Sequence, residues 1–250
     1  MRRQSLRVVL AALVGVLGIV LPLRGQAQPV TVAMGLNKPP YVMDGGTSGL
    51  EVDIAREALA AVGLTMRPQQ LPPARGLMLH RAGQLDALLS VDEGIGGDGY
   101  FSEPYINYQN VAMSLSANKL SIKRIEDLSS YSVAAFQNAS MILGERFAAV
   151  ARGHARYQEY PQQVIQNNLL FTERVDVIVG DKRILHYLSS QLDVKVDVSK
   201  PVTVHPIFPL SPRKAVFKDA ALRDQFNTGL KLIQANGVYD GILKKYANFQ

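Results

Sequence analysis

The chain of 250 residues contains no cysteine. Disulfides, thiol catalysis, cysteine-ligated zinc and a lipid-anchoring cysteine are excluded together. Charge is sparing as well. Acidic and basic side chains make up 19% of the residues, with no block of one sign and no low-complexity tract, so nothing argues for disorder. The four histidines, His80, His154, His186 and His205, show no metal-ligand spacing. Ser48, in Gly46-Thr47-Ser48-Gly49, does not sit in a nucleophile elbow. What is present in quantity is apolar: 47% of the residues are hydrophobic, enough to bury a core as one large domain or two small ones.

The N-terminus reads as a targeting segment. Arg2, Arg3 and Arg7 precede an uninterrupted apolar run over 8–23, and Gly25 and Ala27 hold the −3 and −1 positions of a cleavage site. That run is shorter than the ~20 residues a membrane-spanning helix needs. We therefore expect a signal peptide over 1–27, cut after Ala27, and a periplasmic protein beginning at Gln28. The segment holds four of the 27 basic residues and no acid, so the mature chain keeps 23 basic against 21 acidic residues, about +2 in place of +6. No basic patch remains to suggest a nucleic-acid partner.

Past the signal, strands and helices alternate. Residues 30–34 predict a strand, followed by the proline-stiffened loop Asn37-Lys38-Pro39-Pro40-Tyr41. A helix over 50–62 carries Ile54, Ala55, Ala58, Leu59 and Val62 on one stripe and stops at Gly63. A strand over 64–67 and a helix over 74–82 follow. The stretch from Gly83 to Tyr105 then runs from a helix stop into an apolar strand over 85–89, a polar tip at Ser90, Asp92 and Glu93, a glycine-rich loop and an extended exit at Pro104. Ligands of open α/β sheets collect beyond the carboxyl ends of the strands, so this tip is a candidate small-molecule site as well as an ordinary strand-to-loop junction. The loop also fits G-x-G-x-x-G, but residues 100–104 are extended where a dinucleotide fingerprint needs a helix.

The grammar then repeats. We expect a strand over 131–136, a helix to about residue 150 with Ser140 as N-cap, and a strand over 156–160. A helix opened by Pro161 buries Val164, Ile165, Leu169 and Leu170 in this reading. A strand over 175–179 follows, then a helix capped by Asp181. Gln84-Leu85-Asp86-Ala87-Leu88-Leu89 and Arg174-Val175-Asp176-Val177-Ile178-Val179 echo each other at equivalent places and mark two lobes of similar build. The expected division is 28–110 with 213–250 as lobe 1 and 111–212 as lobe 2, with crossings near 111–115 and 208–212. Two C-terminal helices over 220–235 and 238–246 pack back on the first lobe.

These segments resemble the extracytoplasmic solute-binding proteins of family 3, the polar amino-acid receptors of ABC importers. The resemblance covers residues 30–247. It rests on Gly49-Leu50-Glu51-Val52-Asp53-Ile54-Ala55, Gly83-Gln84-Leu85-Asp86-Ala87, Phe101-Ser102-Glu103-Pro104-Tyr105, Arg174-Val175-Asp176 and Asn236-Gly237-Val238-Tyr239-Asp240-Gly241-Ile242-Leu243. It implies the two-lobed α/β fold of type 2 periplasmic-binding proteins, with a mixed sheet and flanking helices in each lobe. It also implies two hinge crossings, a small polar ligand, a membrane permease as partner, a monomer, no catalytic group, no cofactor and no metal. An enzyme on the same fold, resembling cyclohexadienyl dehydratases, and an accessory or sensory binding protein stay open beside it.

Carried across by this resemblance, Tyr41 matches an aromatic ligand contact and Ser90 a first-lobe hydroxyl. Ser140, with Gln137 ahead of it, matches a second-lobe anion-binding helix start. Asp181 matches the carboxylate that receives a ligand ammonium, a role that coexists with N-capping. The family's carboxylate-clamp arginine is missing between Ser90 and Phe101. Arg75, in Pro72-Pro73-Ala74-Arg75, is the alternative cation, and equally reads as a solvated side chain. With Asp92, Glu93 and Asp181 facing the cleft, the site would be acid-rich and suited to an amine-bearing or neutral polar ligand.

Overall fold

A computed structural model describes residues 28–91 and 99–249. The chain enters through β1 (Val30–Met34), buried along its whole length, and loops through Tyr41 into α1 (Leu50–Ala60). α1 buries Glu51, Ile54, Ala55, Ala58 and Leu59 at spacings of three and four, the stripe of a helix lying on a sheet. Gly49 opens it at φ 117°, where any Cβ would strike the Tyr41 carbonyl oxygen, so this close approach of loop and helix requires glycine.

β2 (Met66–Gln70) starts two residues later than expected and carries Pro68. It is the outermost strand, paired only to β1, an edge position where a missing N–H is tolerated. α2 (Pro73–Arg81) begins on a proline whose absent N–H would have been unpaired in any case. β3 (Ala87–Val91), the short β4 (Tyr100–Phe101) and β5 (Ile106–Leu115) follow.

The second series comprises β6 (Val133–Phe136), α3 (Ala139–Ile142), α4 (Glu145–Ala151), β7 (Tyr157–Tyr160), α5 (Val164–Phe171), β8 (Val177–Asp181) and α6 (Lys182–Ser189). β9 (Val202–His205), β10 (Leu210–Phe217), α7 (Ala220–Ala235) and α8 (Val238–Lys245) complete the chain. Three expectations are corrected here. The single helix over 140–150 is split at Gly144, whose φ of 89° ends one helix and caps the next. Ser140 is not an N-cap: Asn138 precedes α3 at φ 64°, and Ser140 lies inside the helix. α5 buries Gln166, Asn167, Leu170 and Phe171 and leaves Val164, Ile165 and Leu169 half-buried. Its inward amide is held, because Asn167 Nδ2 donates to Leu185 O at 2.7 Å and to Ser189 Oγ at 2.9 Å on α6.

The strands form one curled sheet in the order β2-β1-β3-β10-β5-β8-β6-β7, with β4 joined to β10 and β9 to β5. β1 is parallel to β2 and β3, and β6 is parallel to β7 and β8. β5 and β10 are antiparallel to the neighbours that they bring together, and residues 106–109 pair with residues 210–213. The largest apolar core packs α1, α7 and α8 against β1 and β3, and other cores lie on the two faces of the β5-β8-β6 half. The molecule is thus two-lobed, with two long strands crossing side by side between the halves.

Candidate functional site

Glu51 is the centre of the site. It sits in the first turn of α1 on the apolar stripe, 1% exposed, and points at the carboxyl end of β3. Ser90 Oγ donates to its Oε2 at 2.7 Å, Tyr105 OH donates to the same oxygen at 3.1 Å, and Tyr108 OH donates to Oε1. Lys38 Nζ stands 3.5 Å from Oε1. A buried carboxylate is tolerated when donors meet its lone pairs, and these groups do so. Ser90 holds φ 53°, unusual for a residue with a side chain, and this turns its hydroxyl inward between Glu51 and Tyr105. Burial and the neighbouring Glu51 carboxylate push the Tyr105 phenol well above its ordinary value, so it remains a donor.

A cleft of about 450 Å3 opens beside this network. Gly35 and Lys38 after β1, Val42, Glu51, Pro73 and Ala74 line it, with Leu77 of α2 and residues 88–91 of β3. Its wall is aliphatic, and its polar side chains among the described residues are Lys38, Glu51 and Ser90. Tyr41 and Tyr108 stack behind it with centroids 4.0 Å apart, and Lys38 Nζ lies 4.5 Å from the Tyr108 centroid.

Asp181 stands on the other side of the stacked tyrosines. Its oxygens accept from Arg183 N at 3.0 Å and Ile184 N at 3.2 Å, capping α6, and from Gln109 N at 3.0 Å on β5. Tyr41 OH completes the set at 2.9 Å. The expected cap is therefore present. Burial raises the Asp181 carboxyl above its ordinary value in spite of these donors, and burial with the Asp181 charge raises the Tyr41 phenol. Asp181 borders a small pocket with Gln109, Lys182 and Arg183, separate from the 450 Å3 cleft.

In the second lobe the start of α3 is already met by an anion of the protein itself. Glu159 on β7 accepts from Asn138 N at 2.6 Å, from Ser140 N at 2.9 Å and from Ser140 Oγ at 2.7 Å, and Tyr157 OH donates to it at 2.7 Å. Its burial opposes ionisation, but the donors from Ser140, Tyr157 and Asn138 win and hold the carboxyl below its ordinary range. Gln137 is exposed at the end of β6, and its N–H donates to Tyr160 O at 3.1 Å.

The sequence-derived residues thus separate. Ser90 lines the cleft, Tyr41 stands behind it, Asp181 lies beyond the tyrosines, and Gln137 and Ser140 belong to the α3 cluster. Arg75 is exposed on α2, one residue past Ala74 of the lining. Asp92 and Glu93 lie outside the described residues. Lys38, Glu51, Tyr105 and Tyr108 were not singled out beforehand. Glu51 had a readable signal, an acid on the apolar stripe of a helix. Among the described residues no group of acids or histidines could hold a metal, and no helix is long and apolar enough to cross a membrane.

Comparison with known proteins follows the same lines. An ancestral cationic amino-acid solute-binding protein, AncCDT-1, superposes with a TM-score of 0.69 at 18% identity, covering 89% of this chain and 96% of that one. A second structure of AncCDT-1 is described as a precursor of cyclohexadienyl dehydratase. The GluR0 ligand-binding core in complex with L-glutamate gives 0.66 at 19% identity, covering 89% and 99%. A histidine kinase sensor domain similar to periplasmic binding proteins gives 0.63 at 17%, covering 88% and 96%. At such identities the likeness is one of fold. No match is found among curated proteins. The family model of the bacterial extracellular solute-binding proteins, family 3, matches residues 30–249, and the chain belongs to that family.

Proposed function

We propose that the mature chain, from Gln28, is a monomeric periplasmic receptor. It captures a small polar ligand between two lobes, 28–110 with 213–250 and 111–212, and delivers it to the permease of an ABC importer. The observation that carries this reading is the 450 Å3 cleft at the carboxyl end of β3, within the usual size range of small-molecule sites and lined, among the described residues, by the first lobe alone, so that the second lobe would close over it. It lies beside the paired strands β5 and β10, the only long segments running between the halves of the sheet among the described residues.

Ligand contacts made in a closed state and absent in an open one shift the population toward closure. The crossings near residues 105–111 and 208–214 absorb the dihedral change. Small-angle scattering with and without ligand tests this, and an unchanged radius of gyration at saturation rules closure out. A thermal-shift screen supplies the ligand, since one present at 100 times its Kd adds about 2.7 kcal/mol of stability. N-terminal sequencing of the exported protein checks the cut after Ala27. The fold also serves a sensor domain and a dehydratase precursor, so turnover of prephenate or arogenate by the purified protein would replace the receptor reading with an enzyme.

A further inference from the structure

The carboxylates of the cleft region, among the described residues, are committed to the protein itself. Glu51 accepts from the hydroxyls of Ser90, Tyr105 and Tyr108, and Asp181 from Tyr41 and three backbone N–H groups. An acid met by that many donors has few lone pairs left for a ligand ammonium. Glu159 at the start of α3 is engaged in the same way.

Lys38 differs. It lines the cleft with 39% of its side chain exposed, and its ammonium stands 3.5 Å from Glu51 Oε1 and 4.5 Å from the Tyr108 centroid. An ammonium carries three N–H donors, more than one ion pair at 3.5 Å uses, and Lys38 lines this cleft together with Val42, Leu77, Leu88, Leu89 and Val91. One cation at the edge of an aliphatic chamber asks for one anionic group on an apolar body.

We propose that the cleft takes a small monocarboxylate with a compact apolar body, its carboxylate received by Lys38 and its body by the α2–β3 wall. This rests on the receptor reading above and names its ligand class. A phosphate monoester would bring a second negative charge toward Glu51 with no further cation in the lining among the described residues. An amino acid would bury an ammonium whose acceptor is already taken. This ligand class differs from the amine-bearing or neutral polar ligand expected from Asp92, Glu93 and Asp181, of which Asp92 and Glu93 lie outside the described residues.

The test uses two trios of probes that share a body: 4-methylpentanoate, leucine and 3-methylbutylamine, and 3-phenylpropanoate, phenylalanine and 2-phenylethylamine. Calorimetry on the mature protein should rank the plain carboxylate first in at least one trio and the amine last. Lys38→Gln should weaken that carboxylate about 10–100-fold, the effect of a hydrogen bond to a charged group, and Lys38→Arg should recover most of the loss. A melt without ligand checks that each variant folds, and if Lys38→Gln does not, Lys38→Arg and the wild-type ranking decide. An amine or amino acid binding best, or a carboxylate binding Lys38→Gln as well as wild type, overturns the ligand class and leaves the receptor standing. Silence from all six probes also counts against the class. Silence from a wide panel of polar solutes, with an unchanged radius of gyration, counts against the receptor itself.

Discussion

The Tyr41 hydroxyl donates to the Asp181 carboxylate at 2.9 Å, joining the loop after β1 to the start of α6 across 140 residues of sequence. Tyr41 stacks on Tyr108, Tyr108 donates to Glu51, and Glu51 accepts from Ser90. One continuous chain of side chains therefore runs from the second lobe to the polar end of β3.

Removing the hydroxyl with Tyr41→Phe keeps the ring stack and takes one donor from a buried carboxylate. Three backbone donors remain, so the loss is that of one hydrogen bond to a charged group, about 1.5–3 kcal/mol. Urea denaturation should show the unfolding free energy falling by that amount, read as a lower midpoint with an unchanged slope.

The same carboxylate gives a pH signature. Burial raises the Asp181 carboxyl above its ordinary value of 3.8, so across that window the native state holds more protons than the unfolded one. Stability from this group then falls as pH rises through the window and stays low above it. Compared with Asp181→Asn, which keeps a capping side chain, wild type should lose relative stability between acid and neutral pH. A difference that is flat with pH would contradict the raised value.

Glu159 should behave in the opposite sense. Its carboxyl lies below the ordinary value of 4.5 because donors outweigh burial, so its contribution is present above that value and fades as pH falls through the lowered one. Glu159→Gln should therefore be less stable than wild type at neutral pH and converge with it in acid. Paired melts across the range read this directly.

Packing supplies a prediction independent of charge. Gly229 of α7 lies against α1, where an added Cβ would run into the Ala58 carbonyl oxygen. Helix propensity alone favours Gly229→Ala by about 1 kcal/mol. Backbone cannot step aside as a side chain can, so overpacking of about 1–3 kcal/mol should win and lower the melting temperature.

Several features of the molecule are written in local sequence. The buried stripe of α1, the cap at Asp181 and the apolar strand that carries Ser90 each follow from residues a few positions apart, through helical period, capping chemistry or apolar run length. The family resemblance was legible for a similar reason, since motif order and spacing survive in one dimension. Lys38, Tyr105 and Tyr108 were not legible as a site: they are separated by up to 70 residues and meet at Glu51 only because β10 brings β5 within one strand of β3. Glu159 could not be read either, because its register opposite Ala135 is set by the pairing of β7 with β6, and that pairing aims it at Asn138 and Ser140. Arg75 and Lys38 show the division most plainly. Both are cations beside prolines in the sequence. Only the turn of α2, which leaves Arg75 in solvent, and the return of the β1 loop over Glu51 determine which of them faces the cleft.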